Sequence, residues 1–153
     1  MNETALAVVW NAAYSLGNDE IDRQHQTLFS LVNQLVVACM NGTSTEQLSE
    51  TLTFLGEYAI QHFSFEETLQ VCANYPDYPR HKKLHEAFVE TVGELTERFV
   101  KNGSSDALNS DVNRIVVKWL INHIQKEDIK VGDFIRKQEA LKKNSPRPSI
   151  DRV

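Results

Sequence analysis

Five histidines, His25, His62, His81, His85 and His123, each fall on an apolar helical stripe, and Glu66 shares the stripe of His62. His62 and Glu66 stand one turn apart, as do His81 and His85, so each pair faces a single direction. One histidine on an apolar face is ordinarily a satisfied core residue. Five of five, spread over four predicted helices, are a different matter, because burying that many polar groups costs several kcal/mol unless each finds a partner. A metal ion is such a partner, since neutral imidazole nitrogen and carboxylate oxygen are natural ligands. Asp128 is a further candidate. Five residues past His123, it points about 140° away on a regular helix. Either the helix ends there or it widens into a π-type turn that realigns the two.

Five imidazoles and two carboxylates are too many for one ion. They suit two if both carboxylates bridge and solvent adds an oxide or hydroxide. An ion with three imidazoles is then six-coordinate. Its neighbour, with two, keeps one position open for a small ligand.

Four long helices must position these groups. The first is predicted over about Asp19 to Met40, with Ile21, His25, Leu28, Val32, Leu35 and Cys39 on one face, and Asn41-Gly42 stops it. Thr43 to Thr45 supply cap candidates for the second, which carries Leu48, Leu52, Leu55, Ala59, His62, Glu66 and Leu69 and runs to about Cys72. Tyr75-Pro76-Asp77-Tyr78-Pro79 breaks the chain. The third spans about Pro79 to Lys101, with His81, His85, Phe88, Val92, Leu95 and Phe99 on its stripe, and Asn102 to Ser105 end it. The fourth is expected from Ser110 or Asp111, with Val112, Val116, Trp119 and His123. These stripes match a bundle seam, and short loops make successive helices antiparallel. The fold class is therefore all-α, an up-down-up-down four-helix bundle over residues 19–132. Residues 1–18 read as an arm packed on the bundle through Trp10, Tyr14 and Leu16. Residues 133–153 read as a short helix and a flexible basic tail, with Gly132 to Leu141 helical and Lys142 onward loose. Antiparallel packing brings His25, the end of the second helix, the start of the third and His123 to one end of the bundle.

The remaining composition excludes several classes. At 153 residues with 41% hydrophobic and 24% charged side chains, the chain is one ordinary domain. No apolar run approaches the ~20 residues of a membrane span. The opening apolar patch, Ala5–Trp10, lacks the basic start of a secretory signal, so a cytoplasmic location is expected. The net charge of −5 is uneven: residues 1–129 hold 9 basic and 18 acidic side chains, residues 130–153 hold 7 and 3. The tail cations Arg136, Lys137, Lys142, Lys143, Arg147 and Arg152 have no interleaved aromatics to stack on bases. They read as a solvated tail against an acidic bundle, with no nucleic acid as partner. Cys39 and Cys72 form no C-x-x-C pair and lie at opposite ends of an antiparallel hairpin, too far apart for a disulfide. Both are expected to be buried small hydrophobes.

His25 within Ile21-Asp22-Arg23-Gln24-His25-Gln26, His62-Phe63-x-x-Glu66-Glu67, Tyr75-Pro76, His81-x-x-x-His85-x-x-Phe88 and Trp119-Leu120-x-x-His123-x-x-x-x-Asp128 together resemble the hemerythrins of the bacterial single-domain type. The likeness covers roughly residues 10 to 132. It implies two iron ions with an oxo or hydroxo bridge: His81, His85 and His123 on the saturated iron, His25 and His62 on the open one, Glu66 and Asp128 between them. It also implies that Phe63, Trp119, Leu120 and Ile124 line an apolar oxygen pocket and that dioxygen is the ligand. By themselves Leu120 and Ile124 would be core in any bundle, Trp119 packing, Tyr75-Pro76 a turn, and Glu67 a surface residue or an outer partner of a ligand. One departure is Gln70, where bacterial members commonly carry methionine.

Di-iron bundles that activate oxygen usually draw on four carboxylates and paired Glu-x-x-His motifs. This chain has no Glu-x-x-His, and its nitrogen ligands outnumber its carboxylates. An apolar pocket also offers no side-chain acid to cleave an O–O bond. Reversible oxygen binding by a carrier, buffer or sensor is therefore the expected function, not enzymatic turnover, and a monomer is the simpler assembly. The rivals are a stress protein acting on peroxide or nitric oxide, an iron store, or a structural zinc bundle.

Overall fold

Caps and apolar stripes decide where each helix starts and which face it buries. The computed structural model describes residues 9–42 and 44–144. The cap candidate Thr43, most of the Ala5–Trp10 patch, and the tail residues Arg147 and Arg152 lie outside them. Helix α1 is Asp19–Met40, capped by the Asn18 side chain, which accepts from the Ile21 amide at 3.0 Å. Asp19, Glu20 and Asp22 occupy its first turn, where the helix dipole favours anions. Helix α2 is Thr45–Cys72, with Ser44 accepting from the Gln47 amide at 3.3 Å. It ends at Asn74, which takes the left-handed conformation (φ 56°). Helix α3 is Tyr78–Asn102, begun by a proline in its first turn and stopped at Gly103 (φ 71°).

The fourth rod, residues 106–144, begins earlier and ends later than the sequence suggests. It consists of α4 (Asp106–Val112), a π-helical turn (Asn113–Val117), α5 (Lys118–His123), a second π turn (Ile124–Asp128) and α6 (Ile129–Asn144). The start moves back because Ser105 is the cap, accepting from the Leu108 amide at 3.1 Å, and Leu108 is buried. Asp111 sits inside α4, where its carboxylate accepts from Arg98 at 2.9 Å and Arg114 at 3.0 Å. At the other end there is no break before a separate terminal helix. Gly132 is helical, and Lys142 and Lys143, expected to be loose, belong to α6.

The rods form an up-down-up-down bundle: α1 packs on α2, α2 on α3, α3 on α4, and the fourth rod closes against α1. A continuous core runs through it, from Leu28, Leu35, Leu52 and Leu55 to Val92, Phe99, Val116 and Leu120. No strand occurs among the described residues, and no helix among them is long and apolar enough to cross a membrane. Cys39 and Cys72 are both free. Cys39 is half-buried, but Cys72 is exposed rather than buried. Two residues past buried Gln70, it lies about 200° round the helix and faces out.

Residues 9–18 run alongside α1 and α6. The rings of Trp10 and Tyr14 meet Phe29 at 5.5 and 5.1 Å. Leu16 is buried, its amide donates to Asp22 at 2.9 Å, and its carbonyl accepts from Arg136 at 3.3 Å. Gly132 explains this close approach. A Cβ there would stand 2.9 Å from the Leu16 carbonyl oxygen and 3.0 Å from its Cβ. Gly132→Ala would gain about 1 kcal/mol of helix propensity but forces that backbone outward, and overpacking costs roughly 1–3 kcal/mol. The expected result is a lower urea midpoint at unchanged slope. A midpoint at or above that of the parent would contradict the contact.

Candidate metal centre

Helix α1 brings one polar residue, and each of the other three rods a pair, to the same level of the core. His25 sits two turns into α1, His62 and Glu66 near the end of α2, and His81 and His85 in the first two turns of α3. In the fourth rod His123 closes α5 and Asp128 closes the second π turn. The extra residue per turn in that stretch brings the two onto one face. His123 Nε2 and Asp128 Oδ1 stand 3.0 Å apart. Of the two possibilities open in the sequence, the widened turn is the one realised. All seven side chains are buried.

The atoms fall into two groups. His81, His85 and His123 gather with one oxygen of Glu66 and one of Asp128; His25 and His62 gather with the same two carboxylates. Glu66 Oε1 is 2.8 Å from His81 Nε2 and 3.9 Å from His85 Nε2. Its other oxygen, Oε2, is 3.1 Å from His62 Nε2 and 4.0 Å from His25 Nε2. Asp128 divides likewise, with Oδ1 3.1 Å from His81 Nε2 and Oδ2 3.1 Å from His25 Nε2. Each carboxylate therefore turns one oxygen to each group.

These spacings are those of metal ligands. Metal–donor bonds of about 2.1 Å place neighbouring octahedral donors about 3.0 Å apart and opposite ones about 4.2 Å apart. Four of the donor atoms also lack any hydrogen-bond partner among the described residues. Glu66 Oε2, both Asp128 oxygens and His81 Nε2 are buried without a hydrogen bond among the described residues. Two further pairs, His25 with His62 and His85 with His123, set Nε2 against Nε2 at 3.0 Å. The Nδ1 atoms of His62 and His85 face side-chain oxygens and carry the protons there, so their Nε2 atoms point inward bare. Buried lone pairs converging on one another are costly, and a cation removes that cost. The residues fit a pair of metal ions.

Electrostatics hold both carboxylates in the charged form. Burial alone would push both carboxyls up, but the adjoining histidines reverse it: His62 and His81 bring Glu66 below the ordinary range, and His123, His25 and His81 bring Asp128 well below it. Burial lowers His25 and His81, yet Asp128 and Glu66 outweigh it, raising His25 and carrying His81 up to about 9. His85 goes the other way. Burial, opposed by Glu66 and reinforced by His123 and His81, drops it to about 3.

Residues around these seven side chains divide into those anticipated and those not. Phe63 stacks flat on His85 at 3.9 Å and lies 5.8 Å from His62, so it touches both groups. Trp119 stacks on His123 at 4.5 Å and on Phe88 at 4.3 Å. Leu120 and Ile124 are buried in the core cluster. Glu67 is an outer partner, its Oε2 3.2 Å from His85 Nδ1. Gln70 is fully buried and donates to Glu66 Oε1 at 3.2 Å. Sequence reasoning missed Gln24, whose Oε1 is 2.7 Å from His62 Nδ1, and the approach of Trp10 and Tyr75 to His25 and His81, with ring centres 6.5 and 6.4 Å apart. The available signal for Gln24 was its position beside His25 on a helix that faces α2.

The family described as hemerythrin HHE cation binding domain matches residues 16–135. The bacteriohemerythrin of Pseudomonas aeruginosa is 32% identical over 129 residues, covering 84% of this chain and 82% of that protein. That of Methylococcus capsulatus is 33% identical over 122 residues, covering 79% of this chain and 91% of that protein. A crystal structure of wild-type hemerythrin superposes with a TM-score of 0.75 at 31% identity, covering 84% of this chain and 97% of that one.

Proposed function

The chain belongs to the hemerythrin family, whose domain holds a di-iron centre, and from that premise we propose that it binds dioxygen reversibly, as a carrier, buffer or sensor and not as an enzyme. The observation that carries the reading is the division of Glu66 and Asp128, each with one oxygen toward three histidines and one toward two. His81, His85 and His123 would hold one iron, and His25 and His62 the other. Glu66 and Asp128 would bridge them beside a solvent-derived oxo or hydroxo group. When bound, the iron pair supplies two electrons that pass to dioxygen and return on release.

The chain's own residues favour reversal over turnover. Five neutral imidazoles against two carboxylates leave the centre short of the negative charge that supports highly oxidised iron. Phe63, Leu120 and Ile124 are buried and carry no proton donor, so no side chain among them can assist O–O cleavage. The same residues keep bulk water from the buried histidines and carboxylates. Trp119, stacked on His123, and Phe63, stacked on His85, hold those rings in place.

The test is anaerobic reduction of the iron-loaded protein followed by air, watched in the visible range. A charge-transfer band that develops with oxygen and vanishes under vacuum, over repeated cycles, supports the proposal. Irreversible passage to the ferric form within one cycle contradicts it. Steady consumption of peroxide with a reductant, and no stable adduct, would make the protein an enzyme.

A further inference from the structure

Two side chains outside the seven ligands hold the outer nitrogens of ligand histidines, one in each group. Gln24 of α1 reaches across to α2, its Oε1 2.7 Å from His62 Nδ1. Its other end is tied down, because Nε2 donates to Glu20 Oε1 at 3.0 Å. The amide is thereby oriented with its oxygen toward the histidine. Glu67 of α2 reaches across to α3 in the same manner, its Oε2 3.2 Å from His85 Nδ1. Both are neighbours in sequence of a ligand, Gln24 of His25 and Glu67 of Glu66, yet each supports a histidine on the next helix. By contrast, Nδ1 of His25 and of His81 is buried with no hydrogen-bond partner among the described residues. An oxygen that only accepts requires its histidine to carry the proton on Nδ1 and present Nε2 as the donor.

The two supports differ in charge. A carboxylate behind a ligand histidine strengthens the hydrogen bond and raises the basicity of the ring more than an uncharged amide does. Glu67 is largely shielded, its side chain 19% exposed, so solvent does not cancel the difference.

We propose that Gln24 and Glu67 are positioning residues that fix one histidine in each half of the centre and add a charge difference to the three-against-two division of histidines, the Glu67-backed half favouring the more highly charged ion. The inference rests on the two-metal reading given above. It places the first electron lost from a reduced pair at the His81, His85, His123 half, and it leaves the His25, His62 half with the weaker donor set.

The experiment begins with cobalt(II) titrated into the metal-free protein under argon at fixed pH, with uptake read from the visible bands. Glu67→Ala is expected to weaken one of the two uptake steps about 10–100-fold, and Gln24→Ala the other by a similar factor, the range for loss of an outer hydrogen bond to a metal-bound histidine. The iron-loaded protein then supplies a readout that loss of packing would not move. Glu67→Gln keeps the size and the acceptor but removes the charge, so the reduction potential rises; Gln24→Glu adds the charge in the other half, so it falls. Unchanged cobalt affinities, weakening of the same step by both alanine variants, or potentials that move in the same direction would each overturn the proposal. Cobalt uptake involves no dioxygen, so failure of the reversible-binding reading leaves this result intact and distinguishable.

Discussion

Glu66→Ala should abolish binding of both metal ions. The two oxygens of Glu66 serve opposite halves: Oε1 lies 2.8 Å from His81 Nε2 and Oε2 lies 3.1 Å from His62 Nε2. On the proposed bridging role, removing one side chain would take a donor from each ion and the charge that helps hold them together. Loss of an outer support alone costs about 10–100-fold in affinity, so loss of a shared ligand is expected to exceed about 100-fold at both positions. Gln70 would also lose the acceptor for its buried Nε2. An orphaned buried donor costs about 1–3 kcal/mol, too little to unfold a domain with this core. Metal analysis after reconstitution, with far-UV circular dichroism as the folding control, is the measurement. A folded variant retaining two ions per chain would contradict the bridging role.

His62→Ala should have a smaller and one-sided effect. His62 belongs only to the group with His25, and its Nε2 faces Glu66 Oε2 and His25 Nε2, none of the three histidines opposite. The variant is expected to hold one ion per chain instead of two and to give no oxygen-dependent band. The cavity left by the ring lies between His25 and Phe63, and filling it with an apolar side chain rather than imidazole would not restore the ion. Full retention of two irons would show that the two groups are not separate binding positions. The pair of variants is therefore diagnostic: a carboxylate that faces both ways empties the site, an imidazole that faces one way half-empties it.

Much of this was legible without coordinates. The first three helices follow the expected spans closely, because each is bracketed by strong local signals: Asn18 and Asn41-Gly42, Ser44, then Pro79 and Gly103. The fourth did not. Its cap, Ser105, stands in a run of small polar residues where several positions are equivalent by sequence, and the burial of Leu108 selects among them. Gly132 is where the sequence reading ends the bundle and starts a separate terminal helix. In the fold it is an interior helical position, kept small by the chain segment at Leu16 that crosses it. Such a contact joins residues more than a hundred positions apart and leaves no local trace.

The same division runs through the site. Periodicity places the five histidines and Glu66 on inward faces, because helical spacing converts sequence separation into direction. Antiparallel connection through short loops then sets their common level. Asp128 marks the limit of that reasoning: with five residues after His123, direction alone allows two outcomes, and only packing of the fourth rod against the other three selects the π turn that brings the carboxylate in. The partition of each carboxylate between two groups, and the reach of Gln24 and Glu67 to histidines on the next helix, were likewise decided by the bundle. One chain segment determines which way a side chain faces. What it meets there depends on the distance and rotation of a neighbouring helix, and those are fixed only when all four pack at once.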